Sequence, residues 1–150
     1  MAIQIFGIVF ARRGNKERLL PRFLADTHIV IRWLIEARKL SREQTRALRA
    51  AERRAEPVAV SAMSLLEIAV LTNDRKLKAP ASELLQDLQT HSLFRILPLT
   101  FEIALEVASL GPALRDPADR AIVATARVHR LRLVTSDQRI IDSKLVAVVE

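Results

Sequence analysis

Short apolar runs separated by helix-forming stretches alternate along this chain, and the alternation leaves few folds open. The runs are Phe23-Leu24-Ala25, Val58-Ala59-Val60, Phe94–Leu97, Leu131–Thr135 and Leu145–Val149. Between them the spacing predicts a helix near Ile29–Ala37 and a second from about Ser41 to Arg54, opened by a capping box of Ser41 and Gln44. Further helices are expected through Glu67 to about Leu71, from Pro80 with Leu84, Leu85 and Leu88 on one face, from Thr100 to about Leu110, and from Asp116-Pro117 to about His129. Strands this short and apolar, each followed by a helix, pair in parallel and are covered on both faces. The fold class implied is α/β, a three-layer α/β/α sandwich around a central, mostly parallel sheet.

Such a sheet has a chemically privileged edge, where the carboxyl ends of the strands meet the amino ends of the following helices. Asp26 and Asp137 follow apolar runs directly, and Glu67 and Asp119 fall at the starts of expected helices. Each acid has a purely structural reading. Asp26 caps a helix, Glu67 completes a capping box with Ser64, Asp119 is the N3 acid behind Asp116-Pro117, and Asp137 begins a turn. Four acids converging on one edge need more than four separate caps, because crowded carboxylates repel unless protons or cations neutralise them. Oxygen ligands of this kind suit magnesium or manganese, with Asp26 the leading direct ligand and Thr27, Ser61, Thr135 and Ser136 as orienting or capping hydroxyls. Such ions polarise phosphoryl oxygens and activate water.

Composition narrows the chemistry. The 150 residues suit one domain, and with half of them hydrophobic and only three glycines the chain reads as compact. There is no cysteine, which excludes disulfides, thiolate zinc and a cysteine nucleophile and suits a reducing, cytoplasmic setting. His28, His91 and His129 lack ligand spacing. The net charge of +7 beside an acid cluster suggests a polyanion attracted by arginine and worked on by acid-held cations. The apolar stretch from Met1 to Phe10 is too short to span a bilayer and has its arginines on the wrong side for a signal peptide. Residues 1–22 are expected to be an extension, from a start codon placed too far upstream or as a basic arm, and 23–150 the working domain.

Four segments carry a family resemblance: ADTHIVIRWL at 25–34, VSAMSLLEIAVL at 60–71, RDPADRAIVATA at 115–126 and LVTSDQRI at 133–140. In this order the chain resembles PIN domains, and among them the VapC-type ribonuclease toxins of toxin–antitoxin pairs, from about Phe23 to its C-terminus. The resemblance implies an acidic catalytic and metal site of Asp26, Glu67, Asp119 and Asp137, with Asp116 as auxiliary acid or cap. It implies a Mg²⁺- or Mn²⁺-dependent endoribonuclease, dimeric and silenced by a cognate VapB-like antitoxin. The chain departs from the pattern in placing its first aspartate at 26. It also has Ala118 where many relatives carry an aromatic residue and Leu114 where they often carry a histidine.

Other residues have weaker readings. Arg42, Arg46, Arg49 and Arg53 form one helical stripe, either a surface for RNA or antitoxin or a solvated face. Arg120 either pairs with an acid or meets the scissile phosphate. Trp33 reads as core. Against the nuclease stand two alternatives: a non-catalytic RNA- or protein-binding module, and a phosphoaspartyl phosphatase. The latter lacks a second aspartate two residues after Asp26.

Overall fold

The computed structural model describes residues 19–73 and 79–150. Residues 1–18, on which most of the expected extension falls, lie outside the described residues. Five strands, β1 (Phe23–Ala25), β2 (Val58–Ser61), β3 (Phe94–Leu97), β4 (Arg132–Val134) and β5 (Val148–Val149), form one sheet in the order β3-β2-β1-β4-β5. Every pairing is parallel, so the sheet is wholly rather than mostly parallel. The helices are α1 (Thr27–Ile35), α2 (Arg42–Arg53), α3 (Ala62–Asn73), α4 (Ala81–Thr90), α5 (Phe101–Ser109), α6 (Pro117–Val128) and α7 (Gln138–Ser143), with a 3₁₀ turn at Ala37–Lys39.

The two-residue period of a strand sorts the core into two layers. Ala25, Val58, Val60 and Val134 point to one face, where Ile29 of α1, Leu48 of α2, Ile68 of α3 and Leu84 and Leu88 of α4 cover them. Leu24, Ala59 and Leu133 point to the other, beneath Ile103 of α5, Ile122 of α6 and Ile140 of α7. Leu24 and Leu133 are wholly buried on adjacent central strands, each contributing roughly 2–3 kcal/mol of burial. Trp33 packs against the first layer, as expected, with the Arg49 guanidinium 4.6 Å from its ring centroid.

The topology puts β1 at the centre, so Asp26 leaves the sheet between the ends of β2 and β4. Asp26 N–H donates to the Val134 carbonyl at 3.0 Å, prolonging the ladder by one bond past the strand. Helix starts follow the sequence closely: Asp26, Ser41, Thr100, Asp116 and Asp137 all accept backbone N–H bonds as caps.

Three expectations need correction. Helix α3 begins at Ala62, so Glu67 lies in its second turn and Ser64 is no cap; Ser61 Oγ instead accepts the Met63 N–H at 3.1 Å. The segment after Asp137 folds as α7, which no periodicity announced. The final strand is confined to Val148–Val149 rather than reaching back to Leu145.

Candidate active site

Asp26 is 5% exposed and spends both oxygens on the protein. One accepts the Thr27 N–H and the other the Thr135 hydroxyl, each at 2.7 Å. Burial pushes its carboxyl above the usual range, with the two hydrogen bonds opposing. Thr135 Oγ1 in turn accepts the Asp137 N–H at 3.0 Å, so one hydroxyl joins the first acid to the loop holding the last.

Glu67 reaches the same edge from α3. Thr27 Oγ1 bonds both the Glu67 carboxylate and Ser64 Oγ, the latter at 2.8 Å. A hydroxyl carries one proton, so Thr27 gives its proton to the carboxylate and receives the one on Ser64. Thr27 and Ser64 are 2% and 0% exposed, which makes this a fixed buried tether rather than a surface contact. Desolvation raises the Glu67 carboxyl and the Asp26 charge adds to it, against the Thr27 bond.

Asp119 lies in the first turn of α6, whose cap Asp116 accepts the Ala118 and Asp119 N–H groups at 2.9 and 3.0 Å. Asp116 therefore acts as the cap of the two roles considered for it. Burial, then the charges of Asp116 and Asp137, push the Asp119 carboxyl from 3.8 to about 6. Asp137 goes the other way: hydrogen bonding to Arg139 holds it below its ordinary value. The Arg139 guanidinium stands 2.9 Å from Asp137 and 3.5 Å from Asp119, bridging the two.

The acids are thus linked by charge at one sheet edge: Asp26 raises the carboxyls of Glu67 and Asp119, and Asp137 those of Asp26 and Asp119. Their donor chemistry, hard oxygens in excess of nearby cations, suits a divalent ion. Among the described residues no three acidic or histidine side chains converge closely enough to hold one as they stand. The reason is local: Asp26 is turned onto Thr27 and Thr135, Glu67 onto Thr27, and Arg139 supplies the positive charge for Asp119 and Asp137. Arg139 is largely exposed, and its guanidinium is held by both oxygens of Asp137.

Two supports escaped the sequence reading. Arg139 belongs to no recognisable spacing. Gln44, read only as half of a capping box, also donates its amide to the Thr135 carbonyl at 3.2 Å and Ser136 Oγ at 2.8 Å. That buried amide holds the loop before Asp137 against α2. Ser136 Oγ further receives Arg32 at 3.0 Å, so its bonds run to α1 and α2 rather than to an acid.

The remaining arginines divide. Arg120 neither pairs with an acid nor points at the site; it donates to the carbonyls of Val107, Gly111 and Leu114 at 2.6–2.7 Å, clamping the α5–α6 connection. Arg120→Ala leaves three carbonyls without that partner and is expected to destabilise by about 2–3 kcal/mol in a urea titration, with the RNA-binding salt slope unchanged. Arg46 and Arg49 pair with Glu43 and Glu52 on their own helix and face different neighbours, while Arg42 and Arg53 are exposed. The stripe does not present one face to the acids.

The protein-family profile for the PIN domain matches residues 23–144. Over 120 residues the chain is 34% identical to Ribonuclease VapC22 of Mycobacterium tuberculosis, covering 78% of this chain and 88% of that protein. Among solved structures it is similar to FitAcB from Neisseria gonorrhoeae, with a TM-score of 0.61, 26% identity, and 85% of this chain and 96% of that one covered. A toxin–antitoxin complex from Klebsiella pneumoniae matches with a TM-score of 0.57 and 25% identity, over 85% of this chain and 95% of that one.

Proposed function

Because this chain belongs to the PIN domain family, we propose that it is the ribonuclease toxin of a toxin–antitoxin pair, cutting RNA at the edge where Asp26, Glu67, Asp119 and Asp137 meet. The observation that carries this reading is the buried hydroxyl tether that gathers the acids: Thr135 holds Asp26 and the loop of Asp137, and Thr27 holds Glu67 beside Asp26. The Asp119 carboxyl, raised to about 6 chiefly by burial and then by its acidic neighbours, agrees with it. Asp26, Asp119 and Asp137 would hold Mg²⁺ or Mn²⁺, with Glu67 beside them. When bound, such an ion neutralises phosphoryl charge and makes water a nucleophile near neutral pH.

The chain's own residues do the rest. Thr27 and Thr135 fix Glu67 and Asp26 in position. Glu67, whose Oε2 is tethered to Thr27, keeps Oε1 for the proton of the attacking water, and its raised pKa makes it a competent acceptor. In-line attack at phosphorus then breaks the bond to the ribose 3′-oxygen, which takes a proton from solvent water as it leaves, giving 5′-phosphate and 3′-hydroxyl ends. Arg139, paired with Asp137 and Asp119, supplies the positive charge that such an ion would replace. Beside Glu67, the half-exposed Leu66 and Val70 with Met63, Pro117 and Ala118 offer apolar surface for an antitoxin or a second copy to cover.

No helix among the described residues is long and apolar enough to cross a membrane. The test is incubation of total RNA with the protein in Mg²⁺, in Mn²⁺ and in chelator. Discrete fragments with 5′-phosphate ends in the metal lanes alone are the expected result. Fragments that persist in chelator, or 2′,3′-cyclic phosphate ends, overturn the mechanism. Tight RNA binding without cleavage under either ion moves the assignment to a binding module.

A further inference from the structure

At the opposite edge of the sheet, where the strands begin, the charge is reversed. An open groove running along α2 to the starts of β1 and β4 is lined by Arg22, Arg46, Arg54 and Arg132 over Phe23, and Arg130 adjoins it through a second depression shared with Arg22 and Arg132. Only Glu43 and Glu56 stand against the four arginines of this groove. Glu43 is already engaged by Arg46 at 3.5 Å.

We propose that this groove is a second RNA site, which holds the sugar-phosphate backbone of the substrate at a distance from the bond being cut. The inference rests on the ribonuclease reading and adds to it a determinant of substrate length. Three features favour a polyphosphate. The side chains of Arg22, Arg54 and Arg130 have no carboxylate partner among the described residues, so their charge is uncompensated within the fold. Arg132 is braced, donating to the Val148 carbonyl at 3.0 Å with its guanidinium 6.0 Å from the Phe23 ring centroid. A guanidinium so held presents its remaining N–H groups in the fork that suits phosphate oxygens. Beneath the arginines the α2 wall is Ala47, Ala50 and Ala51, which gives a sliding strand little to obstruct it and a partner helix little to grip.

The geometry sets the span. Strands β1 and β4 are three residues long, so the two edges are separated by roughly 10 Å of backbone plus side-chain reach. A short oligonucleotide seated on the acids ends before it meets the groove, whereas a longer one can reach both. The groove therefore contributes to affinity for long RNA and nothing to the chemical step.

The test uses the full chain carrying Asp26→Asn for binding and the unmodified site for cleavage. Arg22→Gln with Arg54→Gln is compared with a charge-matched control, Arg38→Gln with Lys39→Gln, whose side chains pair with Glu36 away from the groove. For a single-stranded RNA of about 30 nucleotides, the groove pair is expected to bind roughly tenfold more weakly than the control, with a salt slope shallower by about 1.4. Cleavage of that RNA then shows a raised KM at unchanged kcat, and cleavage of a dinucleotide, too short to span the two edges, is unaltered. Equal affinity and equal slope in the two pairs overturn the proposal, as does loss of binding to a poly-glutamate peptide with RNA binding intact. A shallower slope in a protein that cleaves no RNA under any ion keeps the groove and removes the ribonuclease reading. Cleavage with an unchanged slope does the reverse.

Discussion

Asp26→Asn yields a folded protein whose RNA cleavage is slower by at least about a thousandfold, a barrier increase of roughly 4 kcal/mol. The fold tolerates the change because an amide replaces both bonds. Its oxygen still accepts the Thr27 N–H, and its nitrogen donates to Thr135 Oγ1. The site does not tolerate it, because Asp26 is the acid at the centre of the sheet and its negative charge is what a cation would need there. Removing a desolvated carboxylate also relieves a cost, so the metal-free variant is expected to melt no lower than its parent. Single-turnover cleavage beside a thermal melt checks both halves. Activity within tenfold of the parent would sink the assignment of Asp26.

Asp119→Asn stabilises the metal-free protein above neutral pH by on the order of 2 kcal/mol, or about 5 °C in Tm. The folded-state pKa of Asp119 is about 6 against 3.8, so the folded chain binds a proton that the unfolded chain has released. Stability therefore falls as pH rises from about 4 to 6, and the whole cost is present above that window. Asparagine cannot ionise, so the variant and parent coincide near pH 4 and separate by pH 8. Saturating Mg²⁺ or Mn²⁺ should reverse the order, since binding at a hundred times Kd adds about 2.7 kcal/mol to the parent and less to a variant short of one ligand. Melts at pH 4 and 8, with and without ion, give the four values needed. A variant that melts below the parent at pH 8 without metal would show that Asp119 is not under strain from its neighbours.

Asp26, Asp119 and Asp137 were legible because each sits where strand and helix signals change over, and such changes are local in sequence. Glu67 was placed correctly on the edge for a wrong reason. Ser64 and Glu67 have the spacing of a capping box, but that spacing also puts both on one face of a helix already under way, where each can meet Thr27. Helix α7 was invisible because it has six residues and buries only Ile140, too little for a period to register. Arg139 and Gln44 were missed as site residues for a different reason. Their roles depend on partners on other elements, Asp119 for one and the Thr135 carbonyl for the other, and only topology brings those partners near. Arg120 shows the converse hazard: a residue adjacent to a site acid in sequence spends its side chain on three carbonyls facing away from it.

The central place of β1 has a consequence for how such a protein is made. Asp26 is made well before the strand beside it: β4 starts at Arg132, and Thr135, which orients the Asp26 carboxylate, lies 109 residues downstream. Closing so long a loop is entropically costly and occurs only when the distant strand exists to reward it. A nascent chain, or one released early from a ribosome, carries the first aspartate without the strand that aims it and without Asp137. Copies that stop short of β4 therefore lack both the bond that aims Asp26 and the acid at 137, and are expected to cut no RNA.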